Sequence, residues 1–411
     1  DARGNLTKIR LYDASDNLVP YSGYWAEQKL TYNAGGQVIK LEYLDQFEKP
    51  VNIIGRYASI ENKYDDIGNL IQTSYFDNEG KLSDDYYIND YNIQVGSRYF
   101  AKVIFIYDEY GNIIRTECFN TEDKPVKNYF FATKECKYDE VGHVVSEHFL
   151  DENGEIPKEY FCDIFYKYDD YGNISSKEFW GENHIPLESM TDTGKKAHRI
   201  ELTGDFRGNI LKSVAYDKTG SETEKVKYSY DDNGRVLTEE YFDENNKYIE
   251  NSKGYSIKKC EYNSLGNETR EEYYGADGKL CKVGTGFAVC VKEYDDSGSL
   301  KDTYYYDEQE NPVNLIIGFS HIHEDVNEYR NTTNFEVRDK SDNLIFSYRV
   351  KYNNAQKVEE RLYGPDGRLY AQPGTGVAVR KVEHDDRGNQ VSEKYFSDQE
   401  TPMLLFNEFF E

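Results

Sequence analysis

Short runs in which aromatic and β-branched residues alternate with polar ones follow one another along the whole chain, and each run is closed by a turn rich in Asp, Asn and Gly. The stretch from Tyr64 to Lys81 shows the pattern: Asp65-Asp66-Ile67-Gly68-Asn69, then Leu70-Ile71-Gln72-Thr73-Ser74-Tyr75-Phe76, then Asp77-Asn78-Glu79-Gly80-Lys81. It predicts a strand, a tight turn, a second strand and a second turn. No stretch keeps a helical period. Asp65 suits the first position of a type I turn, where its carboxylate bonds the backbone two residues on. Gly68 then supplies the left-handed residue of a bulge, where a Cβ would be penalised. This geometry makes Asp65 face Asn69 and Tyr64 face Leu70. The same pairing is expected for Tyr107 with Ile113, Tyr138 with Val144, Tyr168 with Ile174, Tyr230 with Val236 and Tyr294 with Leu300. Such aromatic and β-branched cross-strand pairs stabilise sheets.

Positions equivalent to Gly68 recur at Gly4, Gly36, Gly111, Gly142, Gly172, Gly208, Gly234, Gly266, Gly298 and Gly388, with Arg330 and Gln356 standing there in two degenerate copies. The commonest step is 32 residues, as from Gly4 to Gly36 to Gly68. A fixed period of this size marks a repeat array of about thirteen units. A second turn follows at Gly80, Gly154, Gly220 and Gly278, preceded by aromatic pairs: Tyr75-Phe76, Phe179-Trp180, Tyr241-Phe242, Tyr273-Tyr274, Tyr305-Tyr306 and Tyr395-Phe396. Adjacent strand residues point to opposite faces, so each pair offers one ring to each face. A third marker, at Gly23-Tyr24, Gly55 to Ala58, Gly254-Tyr255, Gly286-Phe287-Ala288 and Gly376-Val377-Ala378, reads as one more turn feeding the next strand. A unit is therefore expected to hold three short strands. The fold class is all-β: an elongated tandem array of hairpins, solenoid-like or an extended twisted sheet.

The repeat changes how the length is read. A chain of 411 residues would ordinarily suggest two or three domains, whereas repeats sharing a core favour one continuous array over 1–411. Irregular loops are expected near 84–96 and 187–200, and degenerate repeats over 316–357. The chain opens inside a turn and ends partway through a unit, which reads as a fragment of a longer protein. The formal net charge of -27 argues against nucleic acid and anionic membranes as partners. No run approaches the roughly 20 apolar residues of a spanning helix. Six Cys in so long a chain do not make a disulfide scaffold. Cys281 and Cys290 flank a Gly-Thr-Gly turn, and a bridge there depends on Cβ geometry.

Few residues suggest chemistry. His321 and His323 share a strand face and are the metal-like pair, two ligands without a third. Acidic turns such as Asp65-Asp66, Asp169-Asp170, Asp231-Asp232 and Asp295-Asp296 offer oxygens to calcium, yet no unit matches a known calcium loop, so no cofactor is otherwise expected. Gly284-Thr285-Gly286 and Gly374-Thr375-Gly376 lack the Lys and the helix of a phosphate loop. No nucleophile elbow or zinc-protease motif is present, so no catalytic residue is named. Rings could stack on a glycan or protein. The candidate binding residues are Tyr75, Phe76, Phe179, Trp180, Tyr241, Phe242, Tyr273, Tyr274, Tyr305 and Tyr306, with Tyr86, Tyr87 and Tyr91 in the tyrosine-rich insertion.

The recurring Tyr-Asp-x-x-Gly-Asn, as at Tyr64 to Asn69, Tyr107 to Asn112 and Tyr168 to Asn173, resembles the YD repeats of bacterial Rhs proteins and teneurins. The Phe76 to Lys81 element is also similar to MORN-type hairpin repeats. YD repeats are shorter than the 32-residue step here, which bears on whether the chain would form a closed shell. The resemblance implies a bacterial β-hairpin array at the cell surface or secreted, and carries over no catalytic residue. The expected function is a non-catalytic scaffold binding a glycan or protein. The alternatives are a self-assembling filament or surface layer, or a segment of an Rhs-like shell.

Overall fold

A computed structural model describes residues 1–12, 17–20, 25–53, 57–84, 87–88, 94–95, 100–128, 131–157 and 162–403. These residues are almost entirely strand and turn; the single helical segment is one 3₁₀ turn at Glu182–His184. They divide into two units, Asp1–Lys167 with Lys177–Leu187, and Tyr168–Ser176 with Glu188–Met403.

Both units are built from one hairpin. In the first unit, strand Ser59–Tyr64 pairs antiparallel with Leu70–Phe76. The register shifts by one residue at Tyr64, which therefore faces Leu70. Gly68 at φ +99° takes the left-handed position of that bulge. The Asp65 amide donates to the Asn69 carbonyl at 3.0 Å, closing the turn as expected. The second strand of each hairpin then pairs antiparallel with the first strand of the next. Lys40 meets Glu61 and Gln72 meets Ile104 in the first unit; Thr238 meets Lys259 and Arg270 meets Val291 in the second.

The expected third strand is corrected. After the second turn the chain returns for a single bridge, such as Phe76 to Leu82, Phe242 to Tyr248 or Tyr306 to Pro312. The reason lies at the preceding aromatic. The Tyr75 amide donates to Ala101 of the next hairpin, while its carbonyl accepts the Ser83 amide of the returning segment. Returning chain and next hairpin compete for the same strand edge, and the hairpin takes all but one position. The third turn is present as expected at Gly254 and Gly286, and one more stands at Gly318; the expected ones at Gly23 and Gly55 lie outside the described residues. In the degenerate copy near 356, the left-handed residue is Asn354 and not Gln356, which pairs with Asn353 across a two-residue loop. Asn tolerates that conformation better than other non-glycine residues. Arg330 does occupy the left-handed position of its turn.

Two contacts join hairpin to hairpin. The motif tyrosine donates its hydroxyl to a backbone carbonyl of the preceding hairpin: Tyr64 to Val38, Tyr107 to Leu70, Tyr138 to Ile113, Tyr262 to Val236, Tyr294 to Glu268 and Tyr352 to Thr332, all at 2.8–3.1 Å. This is why the position is Tyr rather than Phe. Tyr294→Phe should lower stability by about 1 kcal/mol, the net worth of one such bond. Urea unfolding would measure it, and an unchanged midpoint would show that the hydroxyl contributes nothing. The second contact is a buried small residue after the third turn: Ala58, Ala101, Ala132, Ser256, Ala288 or Ala378. The Ala288 amide donates to Tyr306 of its own hairpin, and its carbonyl accepts from Tyr273 of the previous one. Strand interiors are mostly half-buried, so the core is thin and continuous along each unit. In the second unit it gathers Tyr228, Tyr273, Ile249 and Val283 around buried Val226, Tyr241 and Tyr255.

Candidate functional site

The aromatic pairs split between the two faces, and most of their rings have a packing partner there. First rings interlock edge-on with third-turn aromatics. In the first unit the ladder runs Trp25, Tyr43, Tyr57, Tyr75, Phe100, with centroids 5.3–6.2 Å apart. In the second it runs Tyr241, Tyr255, Tyr273, Phe287, Tyr305, Phe319, at 4.9–6.1 Å. Three of the second rings lie under a cation two residues away along the partner strand. Lys227 sits 4.8 Å over Phe242, Lys259 4.6 Å over Tyr274 and Lys381 4.9 Å over Phe396. Offset and edge-on pairs and cation–π contacts are the geometries such rings prefer. Phe179 is buried and takes Lys177 at 5.1 Å, and the Trp180 indole donates to Glu178. Tyr86 and Tyr91 lie outside the described residues, and of Tyr87 only the backbone is described, paired with Val95.

The phenols of the second ladder hold carboxylates. Glu239 accepts from Tyr241 at 2.8 Å and from Tyr255 at 3.0 Å, and Glu271 accepts from Tyr273 and from Lys258 at 2.7 Å. Burial, with the Glu239 charge, pushes the Tyr255 phenol up to about 12. Burial alone would raise Glu271, but Lys258 and Tyr273 hold it below the usual carboxylate range. The 187–200 loop contains a short strand pair, Ser189–Met190 with Lys196–Ala197. It is pinned to this unit: Thr191 donates to buried Glu224 at 2.7 Å, and the Ser252 amide to the Asp192 carbonyl at 2.8 Å.

The second turns carry a feature the sequence did not disclose. Several place an acidic or amide side chain at positive φ, where glycine is usual: Glu48, Asp123, Asn246, Glu310 and Glu400. Each takes a basic partner from a neighbouring strand, respectively Arg10, Lys102, Lys225, Arg270 and Arg361. The ion pair or hydrogen bond offsets some of the backbone strain.

At the opposite ends of the strands, the first turns of consecutive hairpins project apolar side chains. Ile67, Tyr110 and Val141 of the first unit are 83, 82 and 76% exposed, and each follows an acid: Asp66, Glu109 or Glu140. Strands about 4.8 Å apart space successive tips by roughly 10 Å. The second unit presents Tyr171, Phe206, Leu265 and Tyr329 at equivalent turns.

His321 and His323 lie on one strand face as expected, and the preceding hairpin supplies what the sequence lacked. Asp302 pairs directly with His323 across the strands. Its Oδ1 lies 2.8 Å from both His321 Nε2 and His323 Nδ1. The remaining ring nitrogens face carboxylates too: His321 Nδ1 is 3.4 Å from Asp342, and His323 Nε2 is 3.4 Å from Asp325. Tyr304 stacks on His321 at 4.3 Å. The Asp302 side chain is only 7% exposed. Burial alone would raise its carboxyl, but the two imidazoles hold it below the ordinary range.

The turn carboxylates face inward. Asp108 Oδ1 accepts the amides of Tyr110 and Asn112, and Oδ2 accepts the Asn112 side chain. These are turn bonds, the role that the turn chemistry assigned to Asp. Cys281 and Cys290 are free thiols, as are the other four. Burial pushes Cys118, Cys162 and Cys290 up to about 12, so these thiols stay protonated and unreactive.

No protein-family model and no curated protein matches this chain. Among solved structures, it is similar to the Photorhabdus luminescens Tc holotoxin pore at 13% identity, over 91% of this chain and 16% of that one, with a TM-score of 0.40. A TcdB2–TccC3 complex with Cdc42 is similar at 12% identity, over 92% and 20%, with a TM-score of 0.34. A porin-like protein from Bacteroides vulgatus is similar at 14% identity, over 66% and 98%, with a TM-score of 0.21. The chain thus spans less than a quarter of these toxin chains.

Proposed function

We propose that this chain is a non-catalytic repeat scaffold of a bacterial cell-surface or secreted protein, and that it binds a protein partner along its hairpin tips. The observation that carries the reading is the contrast between the two sets of apolar side chains. Ladder rings are engaged by each other, and Phe242, Tyr274 and Phe396 on the other face by Lys, whereas Ile67, Tyr110 and Val141 stand out in solvent beside acids. Exposed apolar residues in a row favour a protein contact. Of these three tips only Tyr110 offers the open ring face on which a glycan would stack, which favours a protein partner. The resemblance to Rhs and teneurin YD repeats supports the extracellular placement.

The test is a triple variant, Ile67→Asp/Tyr110→Asp/Val141→Asp, set against Phe242→Leu. Both are screened beside the wild type on arrays of surface and secreted proteins and of glycans. Binding to a protein that falls at least tenfold in the tip variant and survives Phe242→Leu supports the proposal. Binding to glycans alone, or protein binding unaffected by the tips, overturns it. Concentration-dependent sedimentation abolished in the tip variant would make the partner a second copy, and the self-assembling alternative would then replace this reading.

A further inference from the structure

Resting on the tip-binding reading, we propose the chemistry of the partner: an extended, cationic protein segment in which arginine and an apolar side chain recur together every third residue. Ile67, Tyr110 and Val141 stand at the first turns of three consecutive hairpins, each behind an exposed acid, Asp66, Glu109 or Glu140. Among the described residues these three carboxylates take no ion pair and no hydrogen bond. Acids at the second turns of the same unit are engaged. Glu48 takes Arg10, Glu79 takes Lys81, Glu122 takes Lys124 and Glu152 takes Lys127.

The second unit fills such tips with its own arginines. Arg207 lays its guanidinium 5.3 Å from the exposed Phe206 ring and donates to the Asp232 carbonyl of the next tip. Arg235 closes on Asp231 at 2.7 Å, and Arg330 donates to the Ser297 carbonyl of the preceding tip at 2.8 Å. In the three turns of the first unit, Ile67, Tyr110 and Val141 take the place of Arg207, and Asn69, Asn112 and His143 that of Arg235. These turns hold no Lys or Arg, so their cation comes from outside. A guanidinium suits the place, because it forks onto a carboxylate and stacks on a ring such as Tyr110. The spacing selects the backbone. Successive tips are roughly 10 Å apart. A polyproline-type segment returns every third side chain to one face after about 9 Å, whereas a β-strand turns that side chain to the opposite face.

A labelled eighteen-residue peptide repeating Leu-Arg-Pro is titrated with the whole chain by fluorescence anisotropy, at low and high salt. Repeats of Leu-Glu-Pro and of Ser-Arg-Pro are the controls. Saturable binding of the first is expected, at least tenfold tighter than either control and weakening as salt rises. Asp66→Asn/Glu109→Gln/Glu140→Gln should weaken it at least tenfold. Glu79→Gln/Glu122→Gln/Glu152→Gln changes the net charge equally and should leave it unchanged. Absence of saturable binding overturns the inference. So does a control peptide that binds as tightly, or equal loss in the two triple variants. The tip-carboxylate variant is also screened on the protein arrays. A partner lost in Ile67→Asp/Tyr110→Asp/Val141→Asp but kept in the tip-carboxylate variant overturns this inference and leaves the tip reading standing. A partner lost in both supports both.

Discussion

Tyr241→Ala is expected to lower stability by about 3–5 kcal/mol, the range for removing a buried aromatic side chain. Tyr241 is 3% exposed and belongs to the buried apolar cluster with Val226 and Tyr255. The loss has three parts. The ring's burial disappears and the site cannot collapse fully, because the hairpin backbone on either side is fixed by paired strands. The edge-on contact with Tyr255 at 5.9 Å is lost, which breaks the ladder between two hairpins. Glu239 loses one of its two phenol donors in a half-buried place. Because stability in a repeat array is carried by each unit and its neighbours, the loss should be local before it is global. Hydrogen exchange should accelerate in Val236–Asp243 and Ile257–Tyr262, while Lys102–Tyr107 in the other unit keeps its protection. A change below about 1 kcal/mol by urea unfolding, or uniform loss of protection across both units, would show that the ladder is not what couples the hairpins.

What the sequence revealed and what it hid follow from how local each feature is. The Tyr64–Leu70 pairing, the Asp65 turn and the Gly68 conformation were legible because all their determinants lie within a few residues. The third strand was overestimated because the marker after Gly254 or Gly286 is a true turn. Whether a strand follows it is decided by competition with the next hairpin for one edge, which no local pattern records. Gln356 was misassigned because period counting cannot see that Asn354-Ala355 already closes the hairpin. The ladder was half visible: the pairs Tyr241-Phe242 and Tyr273-Tyr274 stood out, but not that Tyr255 fills the gap between them. His321 and His323 were visible, whereas Asp302 was one carboxylate among many. A usable signal did exist. Strand residues that meet across successive hairpins are 21 apart, as in Lys40 with Glu61, Thr238 with Lys259, Arg270 with Val291 and Asp302 with His323. The offset holds only where the step is 32 residues without an insertion or deletion; it is 32 for Gln72 with Ile104 and 15 for Asn334 with Arg349.

Thermal stability should fall steeply below about pH 4, and Asn at the turn positions should flatten that fall. Asp108, Asp205 and Asp385 are held below the usual carboxylate range, first by the Asn side chain four residues on. Asp169 is held there first by the Asn173 amide, and Asp231 by the Arg235 side chain and amide. In Asp65 and Asp139 these turn bonds prevail over a larger opposing effect of burial. A carboxylate whose folded pKa is depressed binds its proton more readily when unfolded. Its stabilisation is therefore complete above the unfolded value of about 3.9 and is lost as pH falls through the folded value. Each contribution is small at an exposed turn, but the turn is repeated, so the losses accumulate over the same narrow range. An opposite trend precedes it: with a net charge of -27, partial protonation of other carboxylates between neutral pH and about 5 relieves repulsion. The melting temperature should thus hold or rise slightly at first and then drop. The molecule contains its own control. Asn33, Asn263 and Asn327 stand where other units have Asp, and their Oδ1 atoms accept the same amides at 3.0–3.1 Å. A variant carrying Asp65→Asn, Asp108→Asn, Asp169→Asn, Asp205→Asn and Asp385→Asn should therefore keep the turns and the neutral-pH fold while losing much of the acid limb. Melting curves from pH 7 to 2.5 decide it: an acid limb unchanged in the variant would place the pH dependence in the Glu ion pairs, such as Arg361 with Glu359, and not in the turns.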